Sequence, residues 1–157
     1  MPDRDIQVTG IAEVVEMLEE FPDHIVVIGF TNALHAAAEV MAKELQIQTP
    51  LKQSTGGILE YQGELRENMQ IKVALFNDKS GGVADIGWFR SPYSNVVQFV
   101  EVGHRMVGHK PDLKELGMVP PHPFMRPAAD ISAEPAIDAF ARSLEDTIKA
   151  NYPQKVA

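Results

Sequence analysis

The chain has no cysteine. That removes disulfides, thiolate nucleophiles and cysteine-ligated zinc together, and it suits a reducing compartment. The first residues, Met1-Pro2-Asp3-Arg4-Asp5, are charged and lack the apolar stretch of a signal peptide. The longest dense apolar run, Ile25 to Ile28, is far short of the roughly 20 residues that cross a bilayer. No Lys/Arg cluster exists. The basic residues are scattered singly in a chain of formal net charge −8, and such an acidic excess repels phosphate backbones. The phosphate-cradling GxxxxGK[ST] loop, the GxSxG nucleophile elbow and the HExxH zinc helix are all missing. These absences point to a soluble intracellular product with no membrane contact, no cofactor and no catalytic activity.

What is present describes a globular domain. At 157 residues one domain is expected, with a core over about 9–150 and a tail at each end. A chain near this length buries roughly 70% of the surface it exposes when unfolded, so it needs no metal or disulfide to fold. Apolar residues are 45% and charged residues 23% of the total, ordinary for a folded protein and too apolar for wholesale disorder.

The spacing of apolar residues predicts an α+β fold, helices packed on a small antiparallel sheet with long mobile loops. Thr9 can cap a short helix carrying Ile11, Val14, Val15 and Leu18, which ends at Phe21-Pro22-Asp23. Ile25-Val26-Val27-Ile28-Gly29-Phe30 has the composition of a buried strand. However, Phe30, Leu34, Ala37, Met41 and Leu45 recur at helical steps, and Pro22 suits a first helical turn. One long helix over 23–47 is therefore preferred to a strand at 25–30. Residues 49–66 predict a long loop. Met69, Ile71, Val73 and Leu75 alternate with their neighbours, and Asn77 to Gly82 is turn chemistry before a returning strand over 83–89. Ser91-Pro92 opens a short helix with Tyr93, Val96, Val97 and Val100 on one side and Gly103 as its C-terminal cap. Residues 104–123, with four prolines, predict a second loop. Ser132 is placed as the cap of a last helix whose buried stripe is Ile137, Phe140, Leu144 and Ile148. Asp138/Arg142 and Glu145/Lys149 would then line its solvated face.

Few side chains suggest chemistry. Glu101, His104, His109 and His122 could suit zinc by residue type, but their spacing fits no metal signature, and loop histidines without a ligand are the favoured reading. Asp78 and Asp85 flank a turn, where Asp serves its own local hydrogen bonding. Trp88 with Phe89 reads as core rather than a binding platform, and His35 as surface. Glu101 stands out as a carboxylate in an otherwise apolar turn. It is either an exposed helix-end residue or a partner for a basic group across a subunit contact, with Arg126 the candidate; such pairs give specificity more than affinity.

Three stretches, taken in order, carry a resemblance. The first runs from Met41-Ala42-Lys43-Glu44-Leu45 through Thr49-Pro50 and a Gly-containing loop to Gly63-Glu64-Leu65-Arg66-Glu67-Asn68-Met69. The second is Tyr93-Ser94-Asn95-Val96-Val97-Gln98-Phe99-Val100-Glu101-Val102-Gly103, and the third Pro123-Phe124-Met125-Arg126-Pro127-Ala128. Over roughly residues 11 to 150 the chain resembles the head-tail connector, or tail-completion, family of lambda-like tailed phages and prophages. Asn68 and His104 stand where that family usually has Ser and Thr.

The resemblance implies a non-catalytic structural subunit of the virion neck, made in the host bacterial cytoplasm. It would form a homo-oligomeric ring, a hexamer being one candidate, around a channel that DNA only passes through, and would dock on other neck and tail proteins. Net acidity suits a channel that must not grip DNA. Candidate interface residues are Tyr93, Phe99, Glu101, Phe124 and Arg126. Candidate assembly-loop residues are Thr49, Pro50, Gly56, Gly57, Gly63 and Leu65, in loops that would order on docking. Two other readings stay open: a small metal-dependent hydrolase using the histidines, and an intracellular monomeric binding module.

Overall fold

The structure is a computed structural model that describes residues 23–50, 64–77, 81–108 and 115–151. The Thr9-capped helix, Asp78, His109, Gly56, Gly57 and Gly63 lie outside the described residues. The fold is α+β, with four helices and two two-stranded antiparallel sheets among the described residues.

The first helix, α1, spans Asp23–Gln48. Helix wins over strand at 25–30 because the β-branched run continues without a break into Ala33, Ala36, Ala37, Ala38 and Ala42, the best helix-forming residue. Asp23 also puts a negative charge in the first turn, where the helix dipole favours it. On length and composition alone α1 would pass as a membrane span, which counting the dense run Ile25–Ile28 did not reveal. Here its small-residue face, Gly29, Ala33, Ala38 and Ala42, is buried.

That face lies along the last helix, α4, Met125–Asn151. The two run antiparallel: Gly29 sits beside Leu144 and Thr147, the rings of Phe30 and Phe140 meet at a tilt with centres 6.1 Å apart, and Leu45 shares a core cluster with Phe124 and Ala128. A methyl group added at Gly29 would stand 3.2 Å from Leu144 Cδ1, so the glycine sets the close approach of the pair. α4 begins seven residues before the expected cap at Ser132. Pro127 sits in its first turn, where a missing N–H costs little, and the helix continues through Pro135, which is exposed and leaves the freed carbonyl to water. Ser132 is buried in mid-helix and its hydroxyl donates to the Ala128 carbonyl at 2.7 Å. Ile137 is exposed rather than part of the buried stripe, while Leu144 is buried.

Strands β1, Gln70–Leu75, and β2, Gly82–Gly87, form the expected hairpin. Ile71 pairs with Ile86 and Val73 with Ala84 on the half-buried face, while Lys72 pairs with Asp85 on the exposed one. Both strands pack on α1.

A single helical turn, α2, Glu64–Glu67, precedes β1. It corrects part of the long loop expected over 49–66: Leu65 is core, and Thr49 is fully buried. After β2 comes α3, Ser94–Val102, which ends at Gly103 as expected.

The second loop is also corrected. Within 104–123, β3, His104–Val107, and β4, Glu115–Val119, pair as a second antiparallel hairpin with an irregularity at Met106/Val107. Almost every residue of these strands is exposed on both faces. The sequence therefore carries no alternation of apolar and polar positions from which a strand could be read.

The main core cluster gathers Leu45, Leu65, Trp88, Val97, Phe124 and Ala128, with Met69, Ile86, Tyr93, Val96, Val100 and Met125 packed around it. It lies at the end of the helix pair where α1 finishes and α4 begins.

Candidate functional site

A helix leaves its last carbonyls and first amides without intrahelical partners, and α1 and α4 bring one such end of each kind to the same place. Both are closed by charged side chains from elsewhere in the chain. At the C-terminal end of α1, Arg66 Nη2 donates to the carbonyl of Thr49 at 2.7 Å and to that of Ile47 at 3.2 Å, and Nε donates to Thr49 at 3.0 Å. Gln46 returns a bond from Nε2 to the Arg66 carbonyl at 3.2 Å. At the N-terminal end of α4, Glu101 Oε2 accepts from the amide of Phe124 at 2.8 Å and from that of Met125 at 3.1 Å. Each charge has the sign that the helix dipole favours at its position.

Between the two closures stands Trp88. Its indole Nε1 donates to the Leu65 carbonyl at 2.5 Å, and its ring meets Phe124 edge-on with centres 6.2 Å apart. Gly103 completes the arrangement. It adopts φ +73° and ψ +168°, a region essentially confined to glycine. A methyl group there would meet the Val119 carbonyl oxygen at 2.6 Å and Pro121 N at 2.8 Å. The turn out of α3 is thus pressed against the segment that leads from β4 to α4, and the His122 amide donates to the Val100 carbonyl at 2.8 Å beside it.

The interface candidates fall into distinct environments. Phe124 is 3% exposed, in the core, and Tyr93 packs against that core. Phe99 is 47% exposed, with its ring 5.1 Å from that of His104. Glu101 is half-buried on the α4 amides, one residue ahead of the exposed Arg126. Arg126 borders an open apolar groove of about 380 Å³ between α1, β2 and α4, lined also by Met41, Leu45, Ile86, Met125 and Ala128. Of the loop candidates, Thr49 and Leu65 are fixed in the closure, and Pro50 is half-buried beside it.

The zinc constellation does not assemble among the described residues: no three of their carboxylate or imidazole groups are placed to hold one ion. His104 is half-buried, and its Nδ1 is enclosed without a hydrogen-bond partner. His35 is on the surface, 3.3 Å from Glu39. Among the described residues the Lys149 ammonium is clearly displaced, raised above its ordinary 10.5 by its hydrogen bond to Glu145.

No family model, no curated protein and no solved structure matches the chain.

Two features of this region were not read from the sequence. One is the role of Arg66, whose partners lie 17 and 19 residues away; the signal available was its place in the Gly63-to-Met69 stretch. The other is a set of exposed apolar side chains, Val102, Met106, Val107, Leu116 and Met118, on and beside the second hairpin. Sequence alone does not separate exposed from buried apolar residues.

Proposed function

We propose that the chain is a structural subunit of the neck of a tailed bacteriophage, closing into a ring of identical copies at the head-tail joint and carrying no catalysis. The supporting observation is that the three stretches carrying the phage resemblance converge on one closure. The first supplies Arg66 on the α1 carbonyls, the second supplies Glu101 on the α4 amides, and the third supplies Phe124 to the core. Their shared work is to fix helix ends and pack a core, which is what a subunit held rigidly in an assembly requires. The net charge of −8 fits a part that DNA passes without being gripped.

Native mass spectrometry over a concentration series tests the reading. Closed rings of a single copy number, without bound metal, are the expected result. A monomer carrying stoichiometric zinc would sink it in favour of a hydrolase. A metal-free monomer that stays monomeric with purified neck and tail proteins would sink it in favour of a binding module.

A further inference from the structure

The open groove between α1, β2 and α4 offers an occupant little polar contact. Met41, Leu45, Ala84, Ile86, Met125 and Ala129 give it apolar walls. The Ser132 hydroxyl at its edge is already bonded to the Ala128 carbonyl. That leaves Arg126, which is exposed and which no carboxylate among the described residues pairs with. An occupant that fits is therefore apolar, with carboxylates at its edge. The groove is also small against the roughly 20–30 residues a side of a stable interface. A separate partner would gain little there, whereas a segment tethered to the same chain is held at an effective concentration on the order of 1 mM.

The chain carries such a segment. Residues 1–22, which precede α1, hold Asp3, Asp5, Glu13, Glu16, Glu19 and Glu20 against Arg4 alone, and their apolar positions include Ile6, Val8, Ile11, Val14, Val15 and Leu18. Residues 152–157, by contrast, hold Lys155 and no acidic side chain. The reach also fits. The segment joins α1 at Asp23, and the 18 steps from there to Met41 rise about 27 Å. Counting back from Asp23, 18 steps end at Asp5. Folded back along α1, a wholly helical segment would bring Asp5 and Ile6 level with the groove, and any more extended path brings Val8 and Ile11 there.

We infer that the N-terminal segment docks in this groove of its own copy, with Val8 and Ile11 against Met41, Ile86 and Met125, and with Asp3 and Asp5 beside Arg126. Docking covers apolar walls that otherwise face water, and the opposite charges fix the direction in which the segment lies. The inference makes no use of the ring reading and stands whichever way that is decided.

Because the chain has no cysteine, a single introduced pair tests it in the full-length protein. Gln7→Cys is combined with Ala129→Cys on the groove wall or, as the control, with Glu134→Cys. Both α4 positions are exposed. Glu134 lies five residues along and about 140° around the helix, outside the groove. It is also nearer the level of Asp23, so an undocked segment reaches it at least as readily. Under mild oxidation of dilute protein, followed by non-reducing mass spectrometry, the Gln7–Ala129 pair is expected to close within one chain at least about tenfold faster than the Gln7–Glu134 pair. Arg126→Glu is expected to slow that closure about two- to fivefold. Equal rates for the two pairs overturn the docking. A cross-link that forms only between chains, shown by mixing Gln7→Cys chains with Ala129→Cys chains, gives the groove to the segment of a second copy and overturns it too. An unchanged rate in Arg126→Glu overturns the charge contact.

Discussion

Replacing Glu101 by alanine removes the only side-chain acceptor that the described structure offers to the first amides of α4. Two bonds are lost, at 2.8 and 3.1 Å, from a half-buried carboxylate. Hydrogen bonds to charged groups contribute about 1.5–3 kcal/mol each, whereas losing a capping residue costs about 0.5–2 kcal/mol in measured helices. Water can reach part of the opened end, because Met125 is only partly covered, but Phe124 is 3% exposed and its amide is the costlier orphan. The expected loss is therefore about 2–3 kcal/mol. In a chain of this size that lowers the melting temperature by about 4–12 °C. Glu101→Gln keeps an oxygen acceptor without the charge and should lose about half as much, the share attributable to the dipole and charge assistance. Urea titration followed by circular dichroism measures both, with Glu134→Ala on the exposed side of α4 as the control for a charge change alone. If Glu101→Ala falls within about 0.5 kcal/mol of the wild type, the usual range for a plain surface substitution, the closure of α4 by this side chain is refuted.

Arg66→Ala should cost about 1.5–3 kcal/mol through the bonds to Thr49 and Ile47. Arg66→Lys should recover less than half of it, since one ammonium cannot reproduce the guanidinium fork; urea titration checks both. Gly103→Ala should cost at least about 2–3 kcal/mol, from a backbone conformation confined to glycine and a methyl group 2.6 Å from the Val119 carbonyl. It should depress the thermal midpoint more than Gly117→Ala, where the added methyl meets nothing within 4 Å. Lys149 should titrate above 10.5 in side-chain NMR because Glu145 holds its proton. Since the folded value is the raised one, its contribution is complete below the unfolded pKa and fades as pH rises through the folded value, and Glu145→Gln should bring the titration back down.

The parts of the fold legible in sequence were those whose signal is local. Helix α1 could be read against its β-branched start because the helical recurrence from Phe30 to Leu45 is long, and long periodic segments outweigh short propensities. The β1–β2 hairpin showed because one face is covered and the pattern alternates accordingly. The β3–β4 hairpin did not, since Leu116 and Met118 are exposed and Gly117 interrupts the run. Ser132 looked like a cap because serine before an Ala/Glu/Pro sequence is capping chemistry; the true start of α4 is fixed by a side chain 23 residues earlier. Glu101 was conspicuous for a physical reason. It lies in the last turn of α3, which has no basic residue to match, and there a negative charge opposes its own helix dipole. A residue placed against local preference signals a longer-range role, and the role is the capping of α4. The partner could not be deduced, because periodicity says nothing about which helix ends meet.

The same closure connects stability to assembly. Gly103 is wedged against Val119 and Pro121, the Val100 carbonyl is tied to the His122 amide, and Glu101 is bonded to Phe124 and Met125. The β3–β4 hairpin lies between these attachments, so its direction relative to α4 is set by them. In the proposed ring, neighbours close only if the surfaces that join them keep the same angle in every copy; otherwise the contact propagates into an open filament. On the proposed ring reading, Glu101→Ala should therefore change stability and association together, lowering the melting temperature and broadening the distribution of oligomers from one copy number to several. A Glu101→Ala chain that is destabilised yet still forms rings of one sharp number would separate the two and show that the hairpin is held by the glycine wedge and the Val100–His122 bond alone.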